Sequence, residues 1–236
     1  MKTIKFFLLL VLTWLGISAY AQKEVYTSFD KSTGTLTYYC DDQREARTSA
    51  GETTEIYDTV NDPDAIRFNN YNDKVLIARI DKSMRDTMLT STSRMFEGTS
   101  PRLYKMTEIQ GMENLKTANV KDMSLMFNDC SSLVSLDLNS FNTAKVTNMS
   151  HMFSGCSALK SLDLSMFITA KVKGMNYMFE NCSSLTSLDL SSFNTDKVMD
   201  MNHMFSGCGS LRILNLKNFN TANNIQTILI SSRKHF

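Results

Sequence analysis

The sequence predicts an α/β solenoid of 26-residue coils behind a small N-terminal β-containing capping region. Three observations support this prediction: an ungapped internal repeat, a strand-like Leu-x-Leu segment in each copy, and a helix-like spacing of apolar residues. The four copies begin at Val120, Val146, Val172 and Val198, so each step is 26 residues. Self-similarity at a fixed period indicates a stacked repeat architecture.

Ten columns of the repeat carry the same residue in all four copies. In the second copy these are Val146, Met149, Met152, Phe153, Cys156, Leu159, Leu162, Leu164, Phe167 and Thr169. A single coil has an apolar interior and nothing to bury it against, whereas stacked coils bury identical residues against one another. The apolar columns are therefore expected to form one continuous core.

The apolar pattern within one copy predicts the local structure. Leu188 and Leu190 alternate with a polar residue, which is the period of a short half-buried strand. Residues 198–205 have the three-to-four spacing of one or two helical turns. Thr195 is the expected N-cap of this helix and Gly207 its C′ residue. We expect a parallel sheet on one face and helical or 3₁₀ segments on the other.

The whole motif is Val-x-x-Met-x-x-Met-Phe-x-x-Cys-x-x-Leu-x-x-Leu-Asp-Leu-x-x-Phe-x-Thr, with Asn215 replacing the aspartate in the last copy. It resembles the repeat of BspA-like leucine-rich-repeat surface proteins of bacteria and is similar to repeats of mycoplasma surface lipoproteins. The resemblance implies leucine-rich-repeat-like coils and attachment to host matrix proteins or other cells. Residues 94–119 resemble a diverged lead-in coil, in which Thr99 replaces the cysteine and Leu103 comes one residue late.

The first 21 residues have the features of a secretory signal peptide. Lys2 and Lys5 precede a largely apolar run, and Ala19-Tyr20-Ala21 provides an A-x-A cleavage site. The apolar run is shorter than the roughly 20 residues of a membrane-spanning helix. We therefore expect a secreted or cell-surface protein that begins at Gln22, with no transmembrane segment after cleavage.

The rest of the chain divides into a cap, the repeats and a tail. Residues 22–93 are expected to cap the hydrophobic end of the first coil, with a hairpin from Val25–Phe29 and Thr35–Cys40 and a further strand within 74–80. The repeats occupy residues 120–223. Residues 224–236 keep apolar residues but lose the Met-Met-Phe-Cys pattern, so they form either a degenerate closing coil or a truncated one.

Charge and motifs argue against most catalytic and nucleic-acid-binding classes. The net charge is +1, which gives no electrostatic reason to expect nucleic acid as a partner. The sequence has no Gly-rich phosphate loop, no H-E-x-x-H and no G-x-S-x-G. We expect a protein that is not an enzyme and has no cofactor or metal.

The cysteine column allows three interpretations: a zinc site, disulfides or a row of small buried hydrophobic residues. Its members are Cys130, Cys156, Cys182 and Cys208. A straight column does not converge on one point as a tetrahedral site requires, and its Cβ atoms exceed the ~3.8 Å that a disulfide favours. Buried hydrophobic residues are favoured. His151 and His203 occupy the same repeat position as Tyr177. We expect this position to lie at the surface, away from the thiols.

Three outward columns on the predicted strands form the expected partner-contact face. They contain Ser135, Ser161, Ser187 and Ile213; Asp137, Asp163, Asp189 and Asn215; and Asn139, Ser165, Ser191 and Lys217. The carboxylate row is expected to be solvated, because a calcium site needs more oxygen ligands than one column offers. We call these twelve residues the outward face.

The expected function is protein–protein or adhesive interaction through the solenoid surface. The expected partner is a protein, and the resemblance implies that it belongs to the host matrix or to another cell surface. Two alternatives remain: a truncated fragment of a longer surface protein with no independent function, or an enzyme that uses N-terminal carboxylates such as Asp41, Asp42 and Glu45.

Overall fold

A computed structural model describes residues 24–56, 74–98 and 105–220. The predicted signal peptide and the predicted closing coil at 224–236 lie outside the described residues, as do Thr99 and Leu103.

The N-terminal region forms a five-stranded mixed sheet in the order β3-β1-β2-β4-β5. The strands are β1 Glu24–Asp30, β2 Thr35–Asp41, β3 Thr53–Ile56, β4 Ile77–Ile80 and β5 Glu108–Gln110. A six-residue helix, α1 at Arg44–Ser49, connects β2 to β3, and 3₁₀ helices lie at Lys82–Asp86 and Met112–Asn114. The strands β1 and β2 pair antiparallel, which confirms the predicted hairpin. The pairs β2–β4 and β4–β5 are parallel.

The hairpin turn explains why these two runs meet in this register. The Asp30 carboxylate accepts hydrogen bonds from the Ser32 N–H at 2.8 Å and the Thr33 hydroxyl at 2.9 Å. Gly34 then closes the turn with φ +67°, a conformation that costs glycine little. Tyr38 is buried beyond the turn on β2 and points toward the repeats.

The predicted α/β, leucine-rich-repeat-like solenoid is wrong. The regular secondary structure of the described residues is mainly β, and their only α-helix is the six-residue α1, outside the repeats. Residues 198–205 form turns, so Thr195 is not an N-cap and Gly207 is not a helix C′ residue. The Leu-x-Leu segment is a regular strand only in the last two copies, as β6 Ser187–Asp189 paired in parallel with β7 Ile213–Asn215.

The helix fails because the backbone has better hydrogen-bonding partners in the neighbouring repeat. Eight residues are too few to overcome the cost of helix nucleation without help. A ladder of backbone hydrogen bonds connects successive copies instead, through bridges at Ser91, Asp122, Asn148, Gly174 and Asp200. In the second copy the N–H groups of Met149, His151, Phe153 and Gly155 donate to the C=O groups of Gly174, Asn176, Met178 and Glu180 at 2.7–2.9 Å.

Each repeat makes its turns with two residues at positive φ. The Met152 N–H donates to the Met149 C=O at 3.2 Å, and His151, the third residue of that turn, has φ +58°. Positive φ at this position is the feature of a type II turn. A second turn follows, from Phe153 to Cys156, with Gly155 at φ +75°. Successive turns therefore place apolar residues three positions apart. A helix would give a similar spacing.

The core runs without interruption from the N-terminal sheet through the stacked repeats. The ring of Tyr38 packs edge-on against Phe96, with centroids 5.4 Å apart, and its hydroxyl donates to the Met95 C=O at 2.6 Å. The ring of Phe96 begins a column of stacked phenylalanines that continues through Phe127, Phe153, Phe179 and Phe205, with centroids 5.4–5.8 Å apart. The capping role of residues 22–93 stays a prediction that these contacts support.

A buried threonine column links each repeat to the next. The Thr169 hydroxyl donates to the Asn194 C=O at 2.9 Å and accepts from the Asn194 N–H at 2.8 Å. Thr117, Thr143 and Thr195 make the same pair of bonds in their repeats. One side chain thus satisfies two backbone groups that would otherwise lack partners.

Within the described ranges, no helix combines the length and apolar character needed to cross a membrane.

Candidate functional site

The outward face is exposed along its length. Ten of its twelve residues are exposed, and Ser191 and Asn215 are half-buried. Its role in partner binding stays a prediction. The structure shows what each column does locally, and so which positions are available to a partner.

The acidic column of the outward face holds turns together. The Asp163 carboxylate accepts from the Ser165 N–H at 2.9 Å, and Asp189 accepts from the Ser191 N–H at 2.8 Å. Hydrogen bonds from these serines lower the pKa of both carboxyls. Asn215 makes the same bond to the Lys217 N–H at 3.2 Å, so the turn needs the side-chain oxygen and not the charge. Each carboxylate therefore has a structural role within its own turn.

Large apolar side chains are exposed on or beside the outward face. Met166 is 61% exposed, and Val134, Ile168 and Ile213 are also exposed. They lie among short serine, aspartate and asparagine side chains. Exposed apolar side chains on a polar surface are common features of protein-binding sites, where docking removes them from water.

The stacked phenylalanine rings are more widely spaced near the outward side than beside the backbone ladder. The rings of Phe167 and Phe193, on the outward side, have centroids 6.5 Å apart. The rings of Phe153 and Phe179, beside the ladder, are 5.7 Å apart in the same two repeats. The spacing of the stacked rings therefore differs between the two sides of the core.

The ladder side carries a column of stacked polar rings. Tyr177 lies between His151 and His203, with centroid distances of 4.6 Å and 4.9 Å. The sequence predicted the shared position, and the structure adds three acidic neighbours that influence His151: Glu180, Asp129 and Glu97. Desolvation lowers the pKa of His151, and desolvation raises the pKa of Asp129. The sequence signal for Asp129 was its column, which holds Gly155, Asn181 and Gly207 in the other copies.

The cysteine column is buried and bonded to backbone. The Cys156 thiol donates to the Phe127 C=O at 3.2 Å and the Cys182 thiol to the Phe153 C=O at 3.1 Å. Cys130 and Cys208 make the corresponding bonds. Desolvation raises the pKa of Cys156 well above its usual range and that of Cys208 to about 11. Such thiols are protonated at neutral pH and are poor nucleophiles and poor metal ligands.

All five cysteines in the described residues are free. The described part of the chain also contains no cluster of three or more His, Cys, Asp or Glu side chains that could hold a metal ion.

The N-terminal carboxylates considered for catalysis do not converge on a cleft. Asp41 forms an ion pair with Arg47 at 3.0 Å and accepts from the Tyr26 hydroxyl at 2.5 Å. Asp42 accepts from the neighbouring Gln43 side chain. A polar groove of about 530 Å³ lies beside β1 and β2, and its lining includes Tyr39 and Arg79 but none of Asp41, Asp42 and Glu45. Asp30 and Glu52 also line this groove, where Asp30 accepts hydrogen bonds within the hairpin turn and Glu52 accepts from the Ser28 hydroxyl.

These features define a repeat protein made of stacked, turn-rich layers, joined at one end to a mixed β-sheet. Residues 90–219, more than half of the chain, match the model of the family described as "Mycoplasma protein of unknown function, DUF285". The chain belongs to this family. The match begins at Thr90, whose C=O accepts the Lys121 N–H in the first rung of the ladder. No curated protein and no solved structure matches the chain.

Proposed function

We propose that the protein is a secreted or cell-surface binding protein that engages a protein partner through its outward face and performs no catalysis. The observation that carries this proposal is the exposure of Met166, Ile168 and Ile213 among short polar side chains on one side of the stack. The resemblance to BspA-like surface proteins supports a partner in the host matrix or on another cell surface.

The repeat contains buried columns that are the same in every copy and outward columns that vary, and this difference supports the proposal. The residues that are identical in every copy are mostly buried in the core or bonded to neighbouring backbone. The outward positions next to them differ between copies: Ser140, Met166, Ser192 and Asn218 occupy one column. Burial of an exposed apolar side chain stabilises a complex by about 25 cal/mol per Å². A few such residues, surrounded by polar contacts, are a common design for a protein interface.

Our proposal that the protein is not catalytic is supported by the burial and bonding of its most reactive side chains. The thiols are buried and donate to carbonyls, and His151 is stacked on Tyr177. General acid–base or nucleophilic catalysis needs such groups in contact with a substrate cleft. The predicted signal peptide, from the sequence, supports export.

The test is a binding screen with two matched variants. The chain from Gln22 onward is immobilised and screened against extracellular-matrix proteins and against intact cells. Met166→Glu, next to Ser165 of the outward face, is compared with Met199→Glu, which changes the same kind of side chain at 69% exposure away from that face. We expect Met166→Glu to weaken binding about tenfold or more, a loss of ~1.4 kcal/mol, and Met199→Glu to leave it unchanged. Binding that is lost equally in both variants would place the contact elsewhere, and uniformly absent binding would contradict the proposal.

A further inference from the structure

Five of the six lysines in residues 120–200 lie in two columns of the repeat, and this stretch contains no arginine. One column holds Asn119, Lys145, Lys171 and Lys197, and the other holds Lys121, Thr147, Lys173 and Met199. The two columns precede and follow the first valine of each copy, which is buried in all four copies, whereas all five lysines are exposed. The lysines therefore lie side by side on the surface of the stack. We call these five lysines the lysine edge.

The backbone ladder fixes the spacing of the lysine edge. The Thr147 N–H donates to the Lys121 C=O, and the Lys173 N–H donates to the Thr147 C=O, both at 2.8 Å. The Met199 N–H continues this row by donating to the Lys173 C=O at 2.8 Å. Backbones paired in this way lie about 4.8 Å apart. Successive copies therefore place these side chains in a line that runs along the stack.

Among the residues that the structure describes, no carboxylate forms an ion pair with the lysine edge. The two ion pairs found there both lie before residue 98. The Lys145 ammonium donates instead to the neutral side-chain oxygen of Asn119 at 2.7 Å. The nearby carboxylates accept hydrogen bonds from amides: Asp122 from the Ser124 N–H at 2.8 Å, Asp196 from the Asn220 side chain at 3.0 Å and Asp200 from the Asn202 N–H at 2.9 Å. The edge therefore keeps its positive charge.

Stacked like charges oppose folding and favour an anionic ligand. Lys145, Lys171 and Lys197 occupy the same position in three successive copies. Like charges directly opposite each other on paired chains are destabilising. A polyanion that lies along the column neutralises these charges, and its own counterions are released into solution when it binds. The lysine edge is thus suited to a row of anionic groups that runs along the stack.

We propose that the lysine edge binds a linear polysaccharide that carries regularly placed anionic groups. Such a chain, lying along the stack, meets a lysine column at a spacing of about 4.8 Å per repeat. Lysine suits this ligand because it binds an anionic group as a point charge, without the planar geometry that arginine requires. The edge is separate from the outward face, so this proposal does not rest on the protein-binding role of that face.

Other polyanionic partners fit the lysine edge less well. Proteins that bind single-stranded nucleic acids stack the bases on aromatic rings, and the eight positions of the two columns contain none. Elements that bind membrane surfaces insert an apolar face, whereas Met199 is the only apolar side chain at these eight positions. An acidic globular protein presents its charges over a patch, whereas the lysine edge is a narrow line.

Binding of the chain from Gln22 onward to immobilised heparin, a linear sulfated polysaccharide, tests the proposal with two matched variants. The edge variant combines Lys145→Gln, Lys171→Gln and Lys197→Gln. The control variant combines Lys31→Gln, Lys82→Gln and Lys160→Gln, three exposed lysines outside the edge, and so changes the net charge equally.

We expect the edge variant to bind heparin about tenfold or more weakly. The slope of log affinity against log salt should fall by about 2 in magnitude, since each charge contact with a flexible polyanion contributes roughly 0.7. The control variant should lose less than about twofold at physiological salt, where distant charges are screened. In urea at low salt the edge variant should be at least as stable as the unchanged chain, because like-charge repulsion has been removed.

Three single substitutions make the test independent of the edge variant. Thr147→Lys adds a lysine between Lys121 and Lys173, and we expect it to tighten heparin binding about threefold. Met199→Glu adds a carboxylate next to Lys173 in the same column and should weaken heparin binding. Met166→Glu should leave heparin binding unchanged. This order is the reverse of that expected for the protein partner of the outward face, so failure of one proposal is distinguishable from failure of the other.

Competition in solution identifies the anionic group. Free heparin carries sulfate, hyaluronan carries carboxylate and teichoic acid carries phosphate, and the strongest competitor identifies the group that the edge prefers. Equal losses in the edge and control variants, or no binding to any of these three polymers at physiological salt, would overturn the proposal. Stronger competition by single-stranded DNA, polyglutamate or phosphatidylserine–phosphatidylcholine vesicles would assign the edge to another class of partner. An edge variant that loses both stability and binding, with no gain in Thr147→Lys, would give these lysines a structural role instead.

Discussion

The buried threonine column should contribute strongly to the stability of the repeats, and Thr169→Val tests this directly. Valine keeps the shape and the β-branching of threonine, so no cavity forms. The substitution removes the hydroxyl that donates to the Asn194 C=O and accepts from the Asn194 N–H. It leaves two backbone groups without partners beside a side chain that is only 2% exposed.

The magnitude follows from the two bonds. Each intramolecular hydrogen bond contributes about 1 kcal/mol net, and an unsatisfied buried group costs about 1–3 kcal/mol. Because Asn194 is itself exposed, water can reach part of the site, and we expect a loss of about 2 kcal/mol in the free energy of unfolding. That is a large fraction of a total stability of about 5–15 kcal/mol.

Urea unfolding followed by circular dichroism measures the effect, with an unchanged m-value as the sign that only stability has changed. The matched control is Thr147→Val, whose hydroxyl makes one exposed bond to the Lys121 C=O at 3.1 Å. We expect the control to lose less than about 0.5 kcal/mol. A Thr169→Val protein as stable as Thr147→Val would refute the bridging role of this column.

Two further predictions concern the residues at positive φ. Gly155→Ala should destabilise the chain by about 1–3 kcal/mol, because φ is +75° and a Cβ atom would lie 3.0 Å from the Asp129 Cα. Gly209→Ala, with open space around the glycine, should be neutral or slightly stabilising in the same urea titration, and equal losses would contradict the steric argument. Asp129→Asn should stabilise the chain at pH 7 by up to about 1 kcal/mol, because desolvation raises the pKa of this half-exposed carboxyl in the folded state. The folded state therefore binds the proton more tightly than the unfolded state does. The destabilisation caused by the ionised carboxylate should disappear as the pH falls below the unfolded pKa of 3.8. If Asp129→Asn still stabilises the chain at pH 3, desolvation of the carboxylate is not the cause.

The sequence predicted which residues form the core, because burial depends on the side chain and on its recurrence every 26 residues. Met149, Met152 and Phe153 are fully buried, as their columns required. The sequence did not predict the backbone between them, because a spacing of three apolar residues suits both a helix and consecutive turns. The choice between the two depends on hydrogen bonds to a repeat 26 residues away, which no local pattern contains.

One column did carry the missing signal. Asp129, Gly155, Asn181 and Gly207 are the residue types that adopt positive φ most readily, and all four have it. Gly207 was expected at positive φ as the residue after a helix, and its φ is +74°. At Gly207 the positive φ closes a turn and does not follow a helix, so the predicted helix was wrong although a helix C′ residue has the same backbone geometry. The positive φ of Tyr177 had no such signal, since bulky residues rarely adopt it and the ladder imposes it there.

The lead-in repeat differs in length from the repeats that follow it. Ser91 pairs with Asp122 across 31 residues, whereas Asp122 pairs with Asn148 across 26, so the lead-in repeat is five residues longer. The Ser140 hydroxyl reaches the Met112 C=O across 28 residues, as the Ser192 hydroxyl reaches the Leu164 C=O.

The register is therefore regular again by Met112, and the five extra residues fall between Gly98 and Met112 in the sequence. An insertion within the ladder would break four hydrogen bonds at each of two junctions. On the outward side, regular strand pairing between repeats is confined to the last two described copies. An insertion on that side changes the shape of the surface and leaves the ladder intact. The outward positions vary in residue type between copies while the ladder residues keep their bonds, and this variation is compatible with the partner-binding role that we propose for the outward face.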